Sequence, residues 1–461
     1  MFFKRIGNDM EDTIVAIATA FGEGSIGIIR ISGEKSKDIL DDIFVSKNTI
    51  QNRKLTYGHI VDKSKVIDEV MAVYMRAPST YTREDVVEIH CHGSIVSLKK
   101  IMELIIEKGA RAAERGEFTK RAFLNGRLDL AQAEAVIDLI NAKNNKSFDI
   151  AISQLDGQLS KSLNEISSQI MEILVSIAVN IDYPDEDIEE VVYEQLEKDI
   201  LNIQEKIKDM ADSFKEGKII KEGIKTAIIG KPNVGKSSLL NKLLKRERAI
   251  VTDIEGTTRD IIEEEISIDG ISLILVDTAG IRDTADKIEQ IGIEKSKASF
   301  NEADIIIFVI DMSRPITKED LEIAENIADR KAIVLLNKTD LDIVADVTEI
   351  KNLVVNGVYI ETSTETVQGI DDIKKTIIEN IHLGEYRQEK SNIITNSRHY
   401  EKLISSYSSL NDAIMLVKNR DALDFIELDI RNAYDNIGEI TGNVASADVI
   451  DEVFKRFCLG K

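Results

Sequence analysis

The spacing of hydrophobic positions changes along the chain and predicts segments of different fold. In residues 1–125, short apolar runs are separated by polar and turn residues, which is typical of strands mixed with helix. The elements predicted in this segment are four strands and one helix, at Thr13–Ala18, Ile26–Ile31, Val66–Tyr74, Asp85–His90 and Ser97–Lys108. We therefore expect an α+β amino-terminal domain.

Beyond that segment the apolar period becomes that of amphipathic helices. Leu128–Ile140 has apolar residues at i, i+3, i+4 and i+7. The other helical stretches lie on both sides of residues 223–382, and they are Ile150–Val179, Tyr193–Phe214 after a break at Asp182–Asp185, Ser397–Val417, Ala422–Gly438 and a last helix ending near Phe457. Neither helical flank looks complete alone.

The economical architecture is one all-α helical domain, built from both flanks, with an α/β domain inserted into it. The predicted boundaries are 1–125 for the α+β domain, 126–222 for the first part of the helical domain, 223–382 for the inserted domain and 383–461 for the second part of the helical domain. The chain is thus predicted to be a multidomain protein.

A phosphate-binding loop begins the inserted domain. Gly230–Ser238 fits the pattern G-x-x-x-x-G-K-[ST] and lies between a predicted strand, Lys225–Ile229, and a predicted helix, Ser238–Leu244. Small residues let backbone N–H groups converge on a phosphate, Lys236 reaches the β and γ oxygens, and the Ser237 hydroxyl ligates magnesium.

Four further segments of the inserted domain fit a Ras-like GTPase. The predicted strand Leu273–Asp277 places Asp277 near the magnesium and the Gly280 N–H near the γ-phosphate. Thr258, in the separate segment Gly256–Asp260, is predicted to contact the magnesium and the γ-phosphate. Asn337-Lys-Thr-Asp340 ends another predicted strand, and its last carboxylate can accept both N–H groups of a guanine edge. Thr362–Thr364 is a plausible loop to cover the base. These motifs predict an α/β P-loop (Ras-like) GTPase domain.

The residues expected to accelerate GTP hydrolysis differ from those of Ras-type proteins. Ile281 stands where Ras-type proteins have a glutamine that orients the attacking water. The acidic segment Asp283–Glu289 offers carboxylates for this role, and the residues alone do not choose among Asp283, Asp286 and Glu289. Asn233 could bind a monovalent cation beside the phosphates through its amide oxygen, or it could simply form the turn.

Composition narrows the choice of compartment and partners. The chain has 461 residues, is 43% hydrophobic, and has only two cysteines, Cys91 and Cys458, which are too few for a disulfide framework. No apolar run of 18 residues and no leader is recognised at Met1, so we expect a cytoplasmic protein without a membrane span. A net charge of −23 means that any contact with nucleic acid is local or is supplied by a partner.

Five segments spread over the chain are distinctive, namely Tyr81–Glu88, Gly116–Glu134, the phosphate loop with Asn233, Gly256–Asp260 and the tail Cys458–Lys461. Through these segments the chain resembles the MnmE (TrmE) family of tRNA modification GTPases over essentially its full length. The resemblance implies a homodimer formed by the amino-terminal domain, which binds 5-formyl- or 5,10-methylene-tetrahydrofolate.

By motif position the resemblance places the folate among Arg30, Glu88, Arg127 and Lys461. Periodicity alone would put Arg30 and Glu88 on the solvated face of their strands. A carboxylate such as Glu88 can accept paired N–H donors from a pterin ring. Cys458 lies beside this site, and both a covalent role in the modification chemistry and a purely structural role stay open.

The resemblance also assigns the groups around GTP. Ser237 and Thr258 would ligate Mg²⁺, and K⁺ would be held by Asn233, Thr252, Ile254 and Thr257 as a built-in arginine finger. Glu289 would act through a bridging water, which makes Glu289, Asn233 and Lys236 the catalytic residues. The implied GTP-binding positions are Asn233, Val234, Gly235, Lys236, Ser237, Ser238, Thr252, Asp253, Ile254, Glu255, Gly256, Thr257, Thr258, Asp277, Thr278, Ala279, Gly280, Asn337, Lys338, Asp340 and Ser363.

In this family the GTPase works with an FAD-dependent partner, MnmG (GidA), in a heterotetramer or larger complex. Together they add an aminomethyl or carboxymethylaminomethyl group at C5 of the wobble uridine of certain tRNAs. Three positions depart from the usual pattern, namely Leu459 for isoleucine, Thr364 for alanine and Arg127 where lysine is frequent. The alternative hypothesis is an Era-like ribosome-assembly switch, which would need a basic RNA-binding module after the nucleotide domain.

Overall fold

The computed structural model describes residues 12–20, 22, 24–182, 189–246, 264–268, 270–276, 303–380, 393–458 and 460. By spatial contact the chain forms two compact units. The first comprises residues 1–140, 152–208 and 401–461, and the second comprises 141–151 and 209–400.

The first unit contains a seven-stranded sheet whose order is β3-β4-β5-β6-β2-β1-β7. All neighbours are antiparallel except β1 and β7. The strands are β1 Ile14–Ile17, β2 Gly24–Ser32, β3 Phe44–Val45, β4 Thr56–Asp62, β5 Lys65–Met75, β6 Val86–Gly93 and β7 Arg111–Ala112. Two helices, α1 (Ser36–Ile43) and α2 (Ile95–Glu107), bury Leu40 and Ile101 against apolar residues of this sheet.

The remaining helices before the second sheet are α3 Glu117–Leu124, α4 Leu130–Asn141, α5 Asn145–Leu155, α6 Gln158–Asp182, α7 Glu189–Asp212 and α8 Phe214–Glu222. The chain ends with α13 (Ser397–Asn419), α14 (Leu423–Thr441) and α15 (Ala447–Lys455). In α14 the fully buried residues Ile426, Ile430, Ala433, Ile437 and Ile440 recur every three or four positions, and this apolar face explains why the helix packs against α6.

A buried ionic network holds α3 against the first sheet. Arg121 is 1% exposed and donates to Asp12 Oδ1 at 2.7 Å, to Glu117 Oε1 at 3.0 Å and to Glu84 at 3.2 Å. Burial alone would raise the pKa of Glu117, but hydrogen bonds from Arg111, from the Glu114 backbone and from Arg121 outweigh it and lower that pKa. The network therefore needs Glu117 ionised.

The second unit contains a six-stranded sheet of order β13-β12-β11-β8-β10-β9, parallel throughout except for the β9–β10 hairpin. The strands are β8 Ile224–Ile229, β9 Glu264–Ile268, β10 Ile271–Val276, β11 Ile305–Asp311, β12 Ala332–Asn337 and β13 Val358–Glu361. Its helices are α9 Lys236–Arg246, α10 Lys318–Asn326, α11 Thr348–Leu353 and α12 Ile370–Asn380.

Apolar layers cover this second sheet on both faces. Along β11, Ile307 belongs to one buried cluster and Phe308 to another, so successive side chains face opposite layers. Strands buried on both faces are continuous apolar runs, as β11 and β12 are, and such strands are typical of parallel α/β sheets. The sheet presents the carboxyl ends of β8, β11 and β12 along one edge, which is where α/β domains bind ligands.

The predicted multidomain fold class is confirmed, with an α+β part, many helices and an α/β sheet. The amphipathic stretch Ile150–Val179 is divided between α5 and α6, because Gly157 adopts φ 86° and interrupts the helix. The predicted boundaries at residues 125, 222 and 382 stay a prediction. Within the described part of the chain, none of the helices is both long and apolar enough to cross a membrane.

Candidate functional site

The phosphate loop connects β8, in the middle of the second sheet, to the start of α9 at Lys236. Two of its residues must be glycine. Gly230 has φ 139°, and a Cβ there would lie 2.4 Å from Val309 O. Gly235 has φ 107°, and a Cβ there would lie 2.3 Å from Asn337 Nδ2. The pattern of small residues therefore reflects both conformation and close approach of neighbouring loops.

Lys236 lies across the inside of this loop. Its Nζ donates to Gly230 O at 2.6 Å and to Lys231 O at 2.7 Å. Burial lowers the pKa of Lys236 from its ordinary value, because desolvation disfavours the charged amine. The ammonium is thus held at the amino terminus of α9, where the backbone N–H groups also favour an anion.

Asn233 occupies the outer bend of the same loop. It is exposed and adopts the left-handed conformation with φ 64°. Asparagine tolerates this region better than most residues, so a turn-forming role and a ligand role are both compatible with its backbone. The next residue, Val234, is buried, which leaves Asn233 as the exposed polar side chain of the bend.

The guanine-recognition motif is joined directly to the phosphate loop. Asn337 ends β12 with 1% exposure, and its Nδ2 donates to Val234 O at 2.7 Å. Its Oδ1 accepts from the backbone N–H of Thr364 at 3.3 Å. Asn337 therefore ties together the phosphate loop and the predicted base-covering loop.

Asp340 is positioned by the base-covering loop as well. Ser363 is fully buried, and its Oγ donates to Asp340 Oδ1 at 2.6 Å. Asp340 itself is exposed at the edge of the sheet. The hydrogen bond orients the Asp340 carboxylate, which stays open to solvent. Recognition of two N–H donors requires a carboxylate that is both oriented and accessible. Asp340 and Ser363, which come from two separate segments, thus lie together.

Lys338 has a partner that the sequence analysis did not identify. Its Nζ lies 2.6 Å from Asp311 Oδ2, at the carboxyl end of β11. Burial would raise the pKa of Asp311, but hydrogen bonds from Lys338 and Ser313 outweigh it and lower that pKa. Lys338 also has φ 66°, so this ion pair stabilises a strained backbone position. The sequence signal that could have identified this partner is an aspartate, Asp311, at the end of an apolar strand.

Part of the predicted GTP site lies outside the described residues. This holds for Thr252, Asp253, Ile254, Glu255, Gly256, Thr257, Thr258, Asp277, Thr278, Ala279, Gly280, Ile281, Asp283, Asp286 and Glu289, and likewise for Lys461. Val234, Gly235, Lys236, Ser237 and Ser238 lie on the phosphate loop or in the first turn of α9, as predicted.

A second cluster lies on the sheet of the first unit. Arg30 on β2 and Glu88 on β6 are paired in register, and Arg30 Nε donates to Glu88 Oε1 at 2.9 Å. Both side chains are about four-fifths buried, with exposures of 19% and 20%. The expectation from periodicity, a freely solvated face, is therefore wrong, because the rings of Tyr81 and Phe118 cover Arg30.

Tyr81 brings the third predicted residue to the same place. The Arg127 guanidinium lies 4.6 Å from the centre of the Tyr81 ring, and the Arg30 guanidinium lies 5.7 Å from it. Arg127 also donates to Tyr81 O at 3.3 Å and is exposed. One aromatic ring thus links two cations that are separate in sequence, and cations near an aromatic ring are attracted to it.

The carboxyl-terminal tail lies against the same sheet. Gly460 has φ 88°, and a Cβ there would lie 2.2 Å from Ile17 O, at the end of β1. Cys458 is exposed, whereas Cys91 is buried in the sheet and burial raises the pKa of its thiol to about 11. Of these two cysteines, Cys458 is the accessible one.

The parallel sheet, the phosphate loop and the guanine-recognition motif define a phosphate-loop GTPase. The family described as "GTP-binding protein TrmE N-terminus" matches residues 13–127, and "MnmE helical domain" matches residues 130–458. The tRNA modification GTPase MnmE of Alkaliphilus metalliredigens is 50% identical over 459 residues, covering 98% of this chain and 100% of that protein. The chain belongs to the MnmE family of tRNA modification GTPases.

Other relatives agree with that assignment. The tRNA modification GTPase MnmE of Clostridioides difficile is 49% identical over 457 residues, covering 98% of this chain and 100% of that protein. Matches of this length do not favour an Era-like switch. The solved FeoB G-domain of Methanococcus jannaschii is 25% identical and covers 34% of this chain and 97% of that chain, with a TM-score of 0.25.

Proposed function

We propose that this protein is the GTP-hydrolysing component of a complex that modifies the wobble uridine of certain tRNAs. The group added at C5 is aminomethyl or carboxymethylaminomethyl, and the one-carbon donor is a tetrahydrofolate. The observation that carries the GTPase part is the junction made by Asn337, which joins the phosphate loop to the base-covering loop. The tRNA part follows from the full-length relatives, which are tRNA modification GTPases.

In this proposal GTP is held from both ends. Asp340 receives the guanine N–H groups, while Lys236 and the loop amides receive the phosphates. Ser237 and Thr258 hold Mg²⁺, which neutralises charge on the phosphate oxygens. Ser237 follows Lys236 in the first turn of α9.

Potassium would substitute for the arginine finger of other GTPases. Its ligands would be the Asn233 amide together with Thr252, Ile254 and Thr257. Amide, hydroxyl and carbonyl oxygens suit such a cation, and Asn233 is exposed at the bend of the loop where it could reach one. The cation supplies positive charge near the phosphates. Glu289 would orient the attacking water through a second water, in place of the missing glutamine.

The folate would lie at the cluster formed by Arg30, Glu88 and Arg127, with Lys461 completing it. Glu88 would accept N–H groups of the pterin, and it is already oriented by the Arg30 guanidinium. Arg127 is exposed and would meet the carboxylates of the glutamate tail. The contact of Gly460 with β1 and the exposure of Cys458 support a role for the tail at this sheet.

Two protein partners belong to the proposal. The amino-terminal domain would form a homodimer, and dimerisation of the nucleotide domains would drive hydrolysis. The FAD-dependent MnmG (GidA) would join in a heterotetramer or larger complex in the cytoplasm. With a net charge of −23, a partner that supplies much of the tRNA contact accounts for binding of a polyanion.

The decisive experiment is nucleoside analysis of wobble uridines in cells that lack this protein. We expect the C5-modified uridines to disappear, to return with the wild-type gene, and to stay absent with Lys236→Ala, because phosphate binding is lost. Normal modification in the deleted cells would refute the proposed function.

A further inference from the structure

Lys231, the second residue of the phosphate loop, makes contacts that the proposed mechanism does not use. Its Nζ donates to Thr317 Oγ1 at 2.8 Å and lies 2.5 Å from Asp320 Oδ2. Thr317 and Asp320 begin α10, the helix that follows β11. The Lys231 side chain is 21% exposed and that of Asp320 is 3% exposed, so the ion pair is largely removed from solvent.

The partner of Lys231 is held rigidly. Asp320 Oδ2 accepts from the backbone N–H and the hydroxyl of Thr317, both at 2.9 Å. The Thr317 side chain in turn accepts from the Asp320 backbone N–H, and the reciprocal pair forms a capping box at the start of α10. A carboxylate fixed in this way loses little further freedom when the lysine binds it. Exposed ion pairs contribute little to stability, in part because both side chains lose conformational entropy when they pair. The Asp320 carboxylate is already fixed, so this ion pair loses less entropy than an exposed pair does.

A small cavity adjoins the loop on the side of Lys231. Its volume is about 30 Å³, large enough for a water molecule, and its lining includes Lys231, Pro232, Val234, Asp311, Arg314 and Asp320. At this side of the loop the Lys231 side chain contacts α10 through Thr317 and Asp320. The ionic contact therefore adds to the hydrogen bonds that Lys236 makes to the carbonyls of Gly230 and Lys231.

Asn233 lies between two such supports. On one side Lys231 is fixed and Pro232 restricts its own backbone. On the other side Val234 O accepts from Asn337 Nδ2 at 2.7 Å. Asn233 itself has φ 64°, in the left-handed region that asparagine tolerates better than most residues.

We propose that Lys231 is a positioning residue, which anchors the phosphate loop to α10 and thereby holds Asn233 in the orientation needed to bind potassium. The inference rests on the proposed potassium role of Asn233. It adds a residue whose side chain contacts α10 and which acts on the cation site through the loop. Without the anchor, Asn233 would sample orientations in which its amide oxygen points away from the cation.

The test uses the full-length protein with Lys231→Ala, Lys231→Arg and the control Lys318→Ala. Lys318 is the exposed first residue of α10, so its removal changes the charge equally without touching the loop. Asp320 is unsuitable, because its substitution would also break the helix cap. The rate of GTP hydrolysis is measured against KCl concentration at constant ionic strength, balanced with choline chloride. Hydrogen exchange of residues 230–238 is followed without nucleotide.

For Lys231→Ala we expect the KCl concentration at half-maximal rate to rise roughly tenfold, as loss of one charged hydrogen bond implies. GTP affinity measured without potassium should change less than the potassium dependence does, because Lys231→Ala keeps the backbone amides of the loop that receive the phosphates. Loop amides should exchange about tenfold faster. Lys231→Arg should restore both readouts, and Lys318→Ala should match the wild type.

A wild-type potassium dependence in Lys231→Ala would overturn the positioning role. Wild-type protein that hydrolyses GTP equally fast in sodium and potassium would instead overturn the potassium role of Asn233 itself. Hydrogen exchange then decides the anchor separately. Unchanged exchange in Lys231→Ala shows that the loop does not depend on this contact, and faster exchange shows that it does.

Discussion

Removal of the Asn337 side chain tests how the GTP site is assembled. Asn337→Ala would delete the 2.7 Å hydrogen bond to Val234 O and the 3.3 Å hydrogen bond from the Thr364 N–H. It would leave a buried carbonyl and a backbone N–H without these partners. Each orphaned buried group costs about 1–3 kcal/mol, and Val234 O, at the shorter distance, should dominate.

We expect most of this cost to appear in nucleotide affinity, because the phosphate and base loops must be aligned to hold both ends of GTP. A loss of about 2–3 kcal/mol corresponds to roughly 30- to 150-fold weaker binding. The dissociation constant is measured by titration with a fluorescent GTP analogue, and the melting temperature is measured in parallel to separate stability from affinity.

Asn326→Ala is the matched control. Asn326 is exposed on α10, and its Nδ2 donates to Glu322 O at 2.7 Å. Asn326→Ala therefore removes the same amide group at a site where water can replace the lost hydrogen bond. Its effect should stay within about 0.5 kcal/mol. A dissociation constant of Asn337→Ala for GTP within about threefold of the wild-type value would refute the role of Asn337 in joining the two loops.

Four other substitutions or deletions have distinct expected outcomes. Glu289→Ala should keep GTP affinity while slowing turnover in single-turnover assays, and lost binding would contradict its role. Tyr81→Ala should weaken tetrahydrofolate binding about tenfold by calorimetry, because two guanidinium groups lose their ring. Tyr57→Ala, which removes an exposed tyrosine of β4, should not weaken it. Deletion of Cys458–Lys461 should abolish wobble-uridine modification and spare GTP hydrolysis; retained modification would exclude a site at the tail. Glu117→Gln should lower the melting temperature most at neutral pH. The folded-state pKa of Glu117 lies below its ordinary value of 4.5. The stability that the ionised carboxylate contributes is therefore present above pH 4.5 and is lost as the pH falls through the folded-state pKa. A difference in melting temperature between wild type and variant that did not change with pH would contradict the network.

Sequence reasoning succeeded where the chemistry lies in one continuous stretch. The phosphate loop is a run of nine residues between a strand and a helix, and its glycines have the positive φ angles that the pattern demands. The hydrophobic period likewise predicted a helix over Ala422–Gly438, where the structure has α14. In both cases the deciding forces act between residues that are close along the chain, so spacing alone records them.

Pairings between distant segments were not predictable in the same way. Nothing in the local pattern joins Lys231 to Asp320 or Lys338 to Asp311, because each pair meets only at the edge of the folded sheet. Periodicity placed Arg30 on a solvated face, since alternation reports which face a residue occupies but not which ring will cover it.

The sequence by itself determined that this chain binds guanine nucleotide and belongs among the tRNA modification GTPases, because those motifs specify chemistry through the order of neighbouring residues. Only the tertiary structure decided that Asn337 ties the base loop to the phosphate loop, that Tyr81 links Arg30 with Arg127, and that Lys231 anchors the loop to α10. The physical reason is that hydrogen bonds, ion pairs and ring contacts depend on distances of a few ångströms, which folding sets between residues far apart in the chain.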